Sequence, residues 1–360
     1  MRLVADSGLW STGQQVAQPQ LVALLEVSGA VLSWTVDDAT HAAQITFTHP
    51  DRADWLWRVL GEPGHIALAA ALDGRTPDAA IELADVNPRP ETLEPLRRLA
   101  LGHWLRRWWP TSQRDGIAAL DGSLLDAEIA TLTAGAEEYF TDDTFDSDVA
   151  ALLRPHTAAL SAHLRGGDPR VIELVRSCAD LAADVGVAFS ETDNLAMRRD
   201  DYALAAGADG HGRSATAIAT GTDSVNWGAV PPGIFDAAED TIQWQVEMID
   251  GAAKAVVRVE LSGAALPAGI NVRLRSGDFS GEGVLDADGV ATFEILGGQQ
   301  PVAESAAWDH DWRSTTVTIG ADIEESPQTR ERIREFARAR LRVPAGDAFL
   351  AEVLAAESDY

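Results

Sequence analysis

The sequence has little cysteine, no long apolar run and few basic residues. Its one cysteine, Cys178, excludes an internal disulfide and a cysteine-rich metal site, and it fits a reducing compartment. The opening MRLVADSGLWSTGQQ has no apolar run of signal-peptide length. No segment approaches the roughly 18 uninterrupted apolar residues of a membrane span. We therefore expect a cytoplasmic protein that does not insert into a membrane.

Acidic residues outnumber basic ones, 56 against 28, which gives a formal net charge of -28. Nucleic-acid phosphates and anionic membranes both favour a basic protein surface, so this balance argues against both as main partners. The hydrophobic share of 46% is ordinary for a folded protein, and 360 residues are enough for two or three domains. The composition indicates a multidomain globular protein.

The densest aromatic and basic signal is LEPLRRLALGHWLRRWWP, residues 93–110. Four apolar side chains follow the spacing of an amphipathic helix, which Pro110 would end. They are Leu101, Trp104, Leu105 and Trp108. We expect these four to pack in the core of a helical bundle.

Four further residues of this stretch lie off the apolar stripe: His103, Arg106, Arg107 and Trp109. Trp and Arg are concentrated at the hot spots of protein interfaces. We predict that these four residues bind a protein partner. The arginines of this stretch, Arg97, Arg98, Arg106 and Arg107, like those between 330 and 342, could instead cover apolar surface and pair with the chain's own surplus acids.

Residues 1–90 are predicted to form a small α+β domain. Leu32, Trp34 and Val36 alternate with polar residues as in a strand, and Ser28-Gly29 is typical of a tight hairpin. A short helix capped by Asp51 should follow. Two more strands are expected, near Ile66 and near Ile81.

Residues 91–189 are predicted to form a helical bundle. Three helical periods follow one another between 121 and 187. In the third, Asp168 is expected to cap the helix and Pro169 to occupy its first position. The predicted helix over 93–110 would be the fourth member, with short connections that favour antiparallel neighbours.

The second half contains a Gly/Ala-rich segment, 190–240, which is expected to be a linker or a lid. Residues 241–325 then alternate with a period of two and predict an antiparallel β-sandwich. Within it, GVLDADGVATFEI resembles the hairpin of transthyretin-like and bacterial immunoglobulin-like modules, which implies a fold and no activity. Residues 326–360 are predicted to be terminal helices, the first capped by Ser326.

The histidines and acids offer few metal sites. His156 and His163 share a helix face, but seven residues place them about 10 Å apart, which favours two core-lining histidines over one metal site. Three possible metal ligands follow one another at Asp309, His310 and Asp311. At most two neighbours in an extended segment can reach one ion, so the sequence leaves open whether they bind a metal. The acidic run between 137 and 148 fits a solvated helix end better than a carboxylate site.

Nucleophile and phosphate motifs are also weak. Cys178 lies on the apolar stripe of its helix, where a structural thiol is the usual role. The glycine-rich segment 207–214 lacks the lysine of a phosphate loop, and the chain has no Gly-x-Ser-x-Gly elbow.

These observations favour a cytoplasmic, non-enzymatic interaction or scaffold protein whose partner is another protein. We expect it to bind no cofactor and no metal. The alternative is a metal-dependent hydrolase with a site built from distant carboxylates and histidines.

Overall fold

The computed structural model describes residues 1–13, 19–38, 42–73, 80–137, 139–140, 146–165, 167–189, 217–263 and 265–358. The chain divides into two compact units. Unit 1 comprises Met1–Pro110, Ile117–Ser190 and Ser326–Tyr360, and unit 2 comprises Thr111–Gly116 and Glu191–Glu325. Both helices and antiparallel sheets are present, as the sequence predicts. The finer division into five segments stays a prediction.

One antiparallel sheet forms the β part of unit 1, with the strand order β3-β4-β5-β2-β1-β6. The predicted hairpin is confirmed, since Val27 pairs with Ala30. Gly29 in its turn has φ 74°, and a Cβ there would lie 2.3 Å from the carbonyl oxygen of His49. Only glycine fits this position. The strands are β1 (Arg2–Asp6), β2 (Leu9–Thr12), β3 (Val22–Val27), β4 (Ala30–Thr35), β5 (Gln44–Phe47) and β6 (Ile81–Glu82).

The α-helices belong to unit 1, except for α7, which lies in unit 2. Within the described residues, no helix combines the length and the apolar character that crossing a membrane requires. The helices are α1 (Trp57–Leu72), α2 (Glu94–Trp108), α3 (Gly122–Glu137), α4 (Asp146–Leu153), α5 (Thr157–His163), α6 (Pro169–Asp184), α7 (Glu304–Asp309), α8 (Pro327–Arg342) and α9 (Leu350–Ser358).

Helix α1 occupies the place of one predicted strand. Ile66 lies inside α1, so the strand expected near it was wrong. The helix is interrupted at Gly61, which has φ 72°, and contains Pro63, so its apolar residues do not keep one continuous helical period. Asp51 does not cap a helix either, because the chain first makes 3-10 turns after His49.

Helix α3 is the centre of the helical part of unit 1 and contacts α2, α4 and α6. The Cys178 thiol of α6 is fully buried and donates to the carbonyl of Ala127, 3.4 Å away. Burial raises its pKa to about 12, so the thiol stays protonated and acts as a packing group. Asp168 caps α6, as predicted, by accepting from the backbone N–H of Arg170.

The tail helices pack on this bundle within unit 1. Helix α9 contacts both α3 and α8. Phe336 meets Trp104 edge to face, with ring centroids 5.4 Å apart. Phe349 is fully buried beside Gly102. The predicted cap is also confirmed, because Ser326 Oγ accepts from the backbone N–H of Thr329.

Unit 2 contains two antiparallel sheets that contribute to one hydrophobic core. Four strands follow the order β12-β9-β8-β7, and the other sheet follows β14-β13-β11-β10-β15. The strands are β7 (Ala217–Asp223), β8 (Ile242–Ile249), β9 (Ala252–Val259), β10 (Asn271–Ser276), β11 (Phe279–Val284), β12 (Val290–Glu294), β13 (Leu296–Gly297), β14 (Gln300–Pro301) and β15 (Thr316–Ile319).

The segment expected to be a linker or lid contains structure in its second part. Strand β7 belongs to the four-stranded sheet, and Val225, Ile234 and Phe235 are members of the core. The alternation of apolar and polar residues did not predict β7, because its sequence, AIATGTD, has few large apolar residues. Residues 190–216, including the glycine-rich 207–214, lie outside the described residues.

The run GVLDADGVATFEI does not form a hairpin. It joins β11 to β12, which belong to different sheets. Gly281 and Gly283 face the ring of Phe293, and a Cβ at either would lie 2.5–2.8 Å from ring atoms of that side chain. The two strands therefore pack face to face instead of pairing edge to edge.

Candidate functional site at the end of helix α2

Helix α2 forms where the sequence predicts it. A 3-10 turn from Pro90 leads into the helix, Arg106 and Arg107 lie in its last turn, and the backbone N–H of Trp109 closes it on the Leu105 carbonyl. Positive charges at the C-terminal end of a helix interact favourably with the helix dipole. Leu101, Trp104 and Leu105 are buried, whereas Trp108 is only partly so.

The four predicted partner-binding residues do not form one cluster. The guanidinium of Arg107 lies 4.3 Å from the ring centre of Trp108. The indole of Trp109 donates to the carbonyl of Ala118 at 2.8 Å, which ties it to the following loop. His103 and Arg106 are the two that share a third charged group, Asp126 of helix α3.

Asp126 is a buried carboxylate, with only 3% of its side chain exposed. Its Oδ2 lies 3.0 Å from Nε2 of His156, and its Oδ1 lies 3.0 Å from Nε of Arg106. The arginine N–H is not directed at Oδ1, which has no hydrogen bond from any described residue. The Arg106 contact is therefore an ion pair without a well-aligned hydrogen bond.

The pKa of His103 is lowered from its ordinary value. Burial is the main cause and the positive charge of Arg106 adds to it, while Asp126 and Asp148 act in the opposite direction. A neutral imidazole both donates and accepts a hydrogen bond. His103 thus adds a neutral polar group one turn before the charged Arg106.

A second histidine–carboxylate pair joins the end of α5 to Asp121, the residue directly before α3. His163 Nε2 lies 3.0 Å from Oδ2 of Asp121 and 3.3 Å from Oγ of Ser123. Both contacts use one ring nitrogen, whereas a catalytic triad uses both. Burial alone would raise the pKa of Asp121. Hydrogen bonds from Ser123 and from the backbone N–H of Leu124, together with the charge interaction with His163, lower this pKa overall. Asp121 is therefore a helix cap and an anchor for His163.

His156 has its carboxylate partner on α3, and His163 has its partner at Asp121, directly before that helix. The sequence interpretation as two separate bundle-lining histidines agrees with their separate partners, Asp126 and Asp121. Pro155 interrupts their predicted continuous helix, which becomes α4, a 3-10 turn and α5.

Several other arginines of the two basic segments form ion pairs within unit 1. Arg97 lies 3.2 Å from Asp347, and Arg98 pairs with Glu128. In the tail, Arg340 pairs with Glu352 and Asp347, and Arg332 pairs with Asp37 at 2.8 Å. Internal pairing accounts for these arginines, as one of the two sequence readings allowed.

His310 and Asp311 make separate contacts, and Asp309 is the last residue of α7. His310 Nε2 lies 2.9 Å from Ser276 Oγ and its ring stacks on Phe279, while Asp311 accepts from the backbone N–H of Arg313. Within the described ranges, no three or more His, Cys, Asp or Glu side chains are grouped so that they could hold a metal ion. Glu138, Asp142 and Asp143 of the acidic run lie outside those ranges.

Sequence reasoning missed Asp126. A signal was present, because Asp126 stands at helical spacing with Ile129, Ala130 and Thr133, all of which are buried. A charged residue on the apolar face of a helix needs a partner. The partners come from α2 and from the turn before α5, which no local pattern identifies.

Comparison of the chain with protein-family models, with curated proteins and with solved structures found no match in any of the three. The geometry around Asp126 is therefore the basis for a functional proposal.

Proposed function

We propose that the protein is a non-enzymatic interaction or scaffold protein that binds a carboxylate-bearing protein surface through Arg106. One observation carries the proposal. The Nε atom of Arg106 forms an ion pair with the buried Asp126, half of the arginine side chain is exposed, and it makes no other hydrogen bond or ion pair with a described residue. The terminal nitrogens of the guanidinium are then available to a partner.

The arrangement reduces the cost of binding. A free arginine loses rotamer freedom when it is fixed in an interface, whereas Arg106 is already anchored by its ion pair. A guanidinium offers two parallel donors that match a carboxylate. Arg97 and Arg340 have carboxylate partners inside unit 1, so they offer less to a second protein.

The test compares four baits that differ at one position. Wild type, Arg106→Ala, Arg106→Lys and Arg176→Ala are each used to recover bound proteins from native cells, with quantification by mass spectrometry. Arg176 is an exposed arginine of α6 and serves as the control. A partner bound through Arg106 should be recovered with wild type and Arg176→Ala. Its affinity should fall about 30-fold with Arg106→Ala, as for a hot-spot arginine.

Arg106→Lys separates charge from geometry, since lysine keeps the charge but loses the paired donors. Retained binding by this variant points to charge alone. Equal recovery by all four baits, or no partner together with a monomer at high concentration, contradicts the proposal.

We also propose a fold class for the two sheets of unit 2. An immunoglobulin-like or transthyretin-like class for the sheets of unit 2 is supported by two antiparallel sheets with a common core.

The second candidate is the metal-dependent hydrolase. The observation that favours acid–base chemistry is the Asp126–His156 pair, in which a buried carboxylate orients an imidazole. A metal would need ligands beyond those that the described residues group together. Stoichiometric metal in protein purified without chelator, lost in His156→Ala, would favour this candidate over the first.

A further inference from the structure

A shallow groove crosses the outer face of the four-stranded sheet in unit 2. Two cross-strand rows line it. Thr222, Gln243 and Arg258 form one row, and Thr220, Gln245 and Val256 form the other. The groove has a volume of about 300 Å³. Because side chains alternate along a strand, these six residues share the face opposite to the core residues of β8 and β9.

Most of the polar groups in the groove have no partner. Thr220, Gln243, Gln245 and Arg258 make no side-chain hydrogen bond or ion pair with any described residue. Only Thr222 is engaged, through Asp240 at 3.1 Å.

Arginines on the other sheet differ in this respect. Arg273 pairs with Glu282 at 2.8 Å, and both Arg273 and Arg275 lie within 4.0 Å of Asp322. Arg258, in contrast, lies beside two glutamine amides in the groove and has no acidic partner among the described residues. The lining itself contributes no carboxylate, and the Asp240 carboxylate beside it accepts from Thr222, so the remaining donors of the groove favour an anionic ligand over a cationic one.

The floor of the groove is held by packing. Val256 is 8% exposed although it lies on the outer face. Beneath the sheet, the ring of Trp244 lies against Gly221, where a Cβ would be 2.4 Å from Cζ2 of the indole. This contact fixes β7 against β8, so the two rows keep their positions without a ligand.

We propose that this groove binds a polyhydroxylated anion the size of a monosaccharide, such as a sugar acid or a sugar phosphate. Arg258 matches the carboxylate or phosphate group with two parallel donors. The amides of Gln243 and Gln245 each donate and accept, as sugar hydroxyls require. The volume of the groove is at the lower end for small-molecule sites.

The test titrates the full-length protein with glucuronate, glucose 6-phosphate and uncharged glucose, followed by calorimetry or by NMR of the protein amides. At least one anion should bind saturably with a Kd of about 1 mM or tighter. Binding should weaken at least about tenfold for glucose and for Arg258→Ala. The two anions distinguish a carboxylate site from a phosphate site.

Arg275→Ala is the matched control, because Arg275 is an exposed strand arginine outside the groove, and it should bind as wild type does. Gln243→Ala should weaken binding without affecting the fold, which near-ultraviolet circular dichroism checks for each variant. Two results overturn the proposal. One is the absence of saturable binding of either anion, and the other is binding that Arg258→Ala leaves unchanged.

Discussion

Glu352 accepts hydrogen bonds from both Nε and Nη2 of Arg340, and both side chains are buried inside unit 1. The same carboxylate also accepts from the backbone N–H of Phe349 at 2.9 Å. Burial lowers the pKa of Arg340, but the contacts with Glu352 and Asp347 raise it overall. The guanidinium is therefore charged, and helix α8 is joined to α9 by a desolvated ion pair.

Removing one partner of this pair should be strongly destabilising. Glu352→Ala leaves the Arg340 charge buried and should lower the free energy of unfolding by about 3–5 kcal/mol. The control is Glu82→Ala, which removes a surface pair with Arg2 and should cost less than about 1 kcal/mol. Urea denaturation measures both. A similar small loss in the two variants would show that the buried pair contributes no more than an exposed one.

Two glycines in neighbouring helices should respond oppositely to alanine. A Cβ on Gly102 would lie 2.7 Å from Ile129 and 2.8 Å from Phe349, so Gly102→Ala should destabilise unit 1 by about 1–3 kcal/mol through overpacking. A Cβ on Gly135 would meet nothing within 4 Å, and Gly135→Ala should stabilise by about 0.5–1 kcal/mol. Thermal unfolding of both variants measures these changes in stability. A gain in stability in Gly102→Ala would contradict the prediction and would mean that Ile129 and Phe349 move aside.

Asp168 should give unit 1 part of its sensitivity to acid. Hydrogen bonds from the side chain and backbone of Arg170 lower the pKa of Asp168 to about 2. A depressed carboxyl pKa stabilises the folded state above the unfolded value of about 4, and this contribution is lost as the pH falls towards 2. The free energy of unfolding should therefore drop between these pH values.

Asp168→Ser keeps an N-cap acceptor without a titrating group. The drop in unfolding free energy between pH 4 and pH 2 should be smaller in this variant, as measured by urea titrations at each pH. Arg170→Met keeps Asp168 but removes the cation, and should also reduce the drop. An identical pH profile in wild type and both variants would contradict the assignment.

Local patterns predicted the regular elements well where one face is apolar throughout. Helix α6 has its cap, its first-position proline and its buried stripe where the sequence places them. Strand β8 keeps the expected alternation, with Ile242, Trp244 and Val246 buried. In these elements the side chains that determine burial lie within a few residues of one another.

The candidate site could be predicted only in part. His103 and Arg106 were found because they lie off the apolar stripe of α2, but Arg107 and Trp109 contact Trp108 and Ala118 instead of joining them. Asp126 pairs across helices with a residue 30 positions away, and such a contact has no local signature. The pairing of β11 and β12 with different sheets is equally nonlocal.

The division of unit 1 along the chain has a consequence for the order of folding during synthesis. Phe336 and Phe349 pack against Trp104 and Gly102, yet they follow the whole of unit 2 in the sequence. A nascent chain that ends before residue 326 exposes the apolar surface of α2 and α3 that these phenylalanines cover. Until residues 326–358 have been synthesised, the incomplete bundle therefore exposes apolar surface of the kind that makes folding intermediates prone to aggregation.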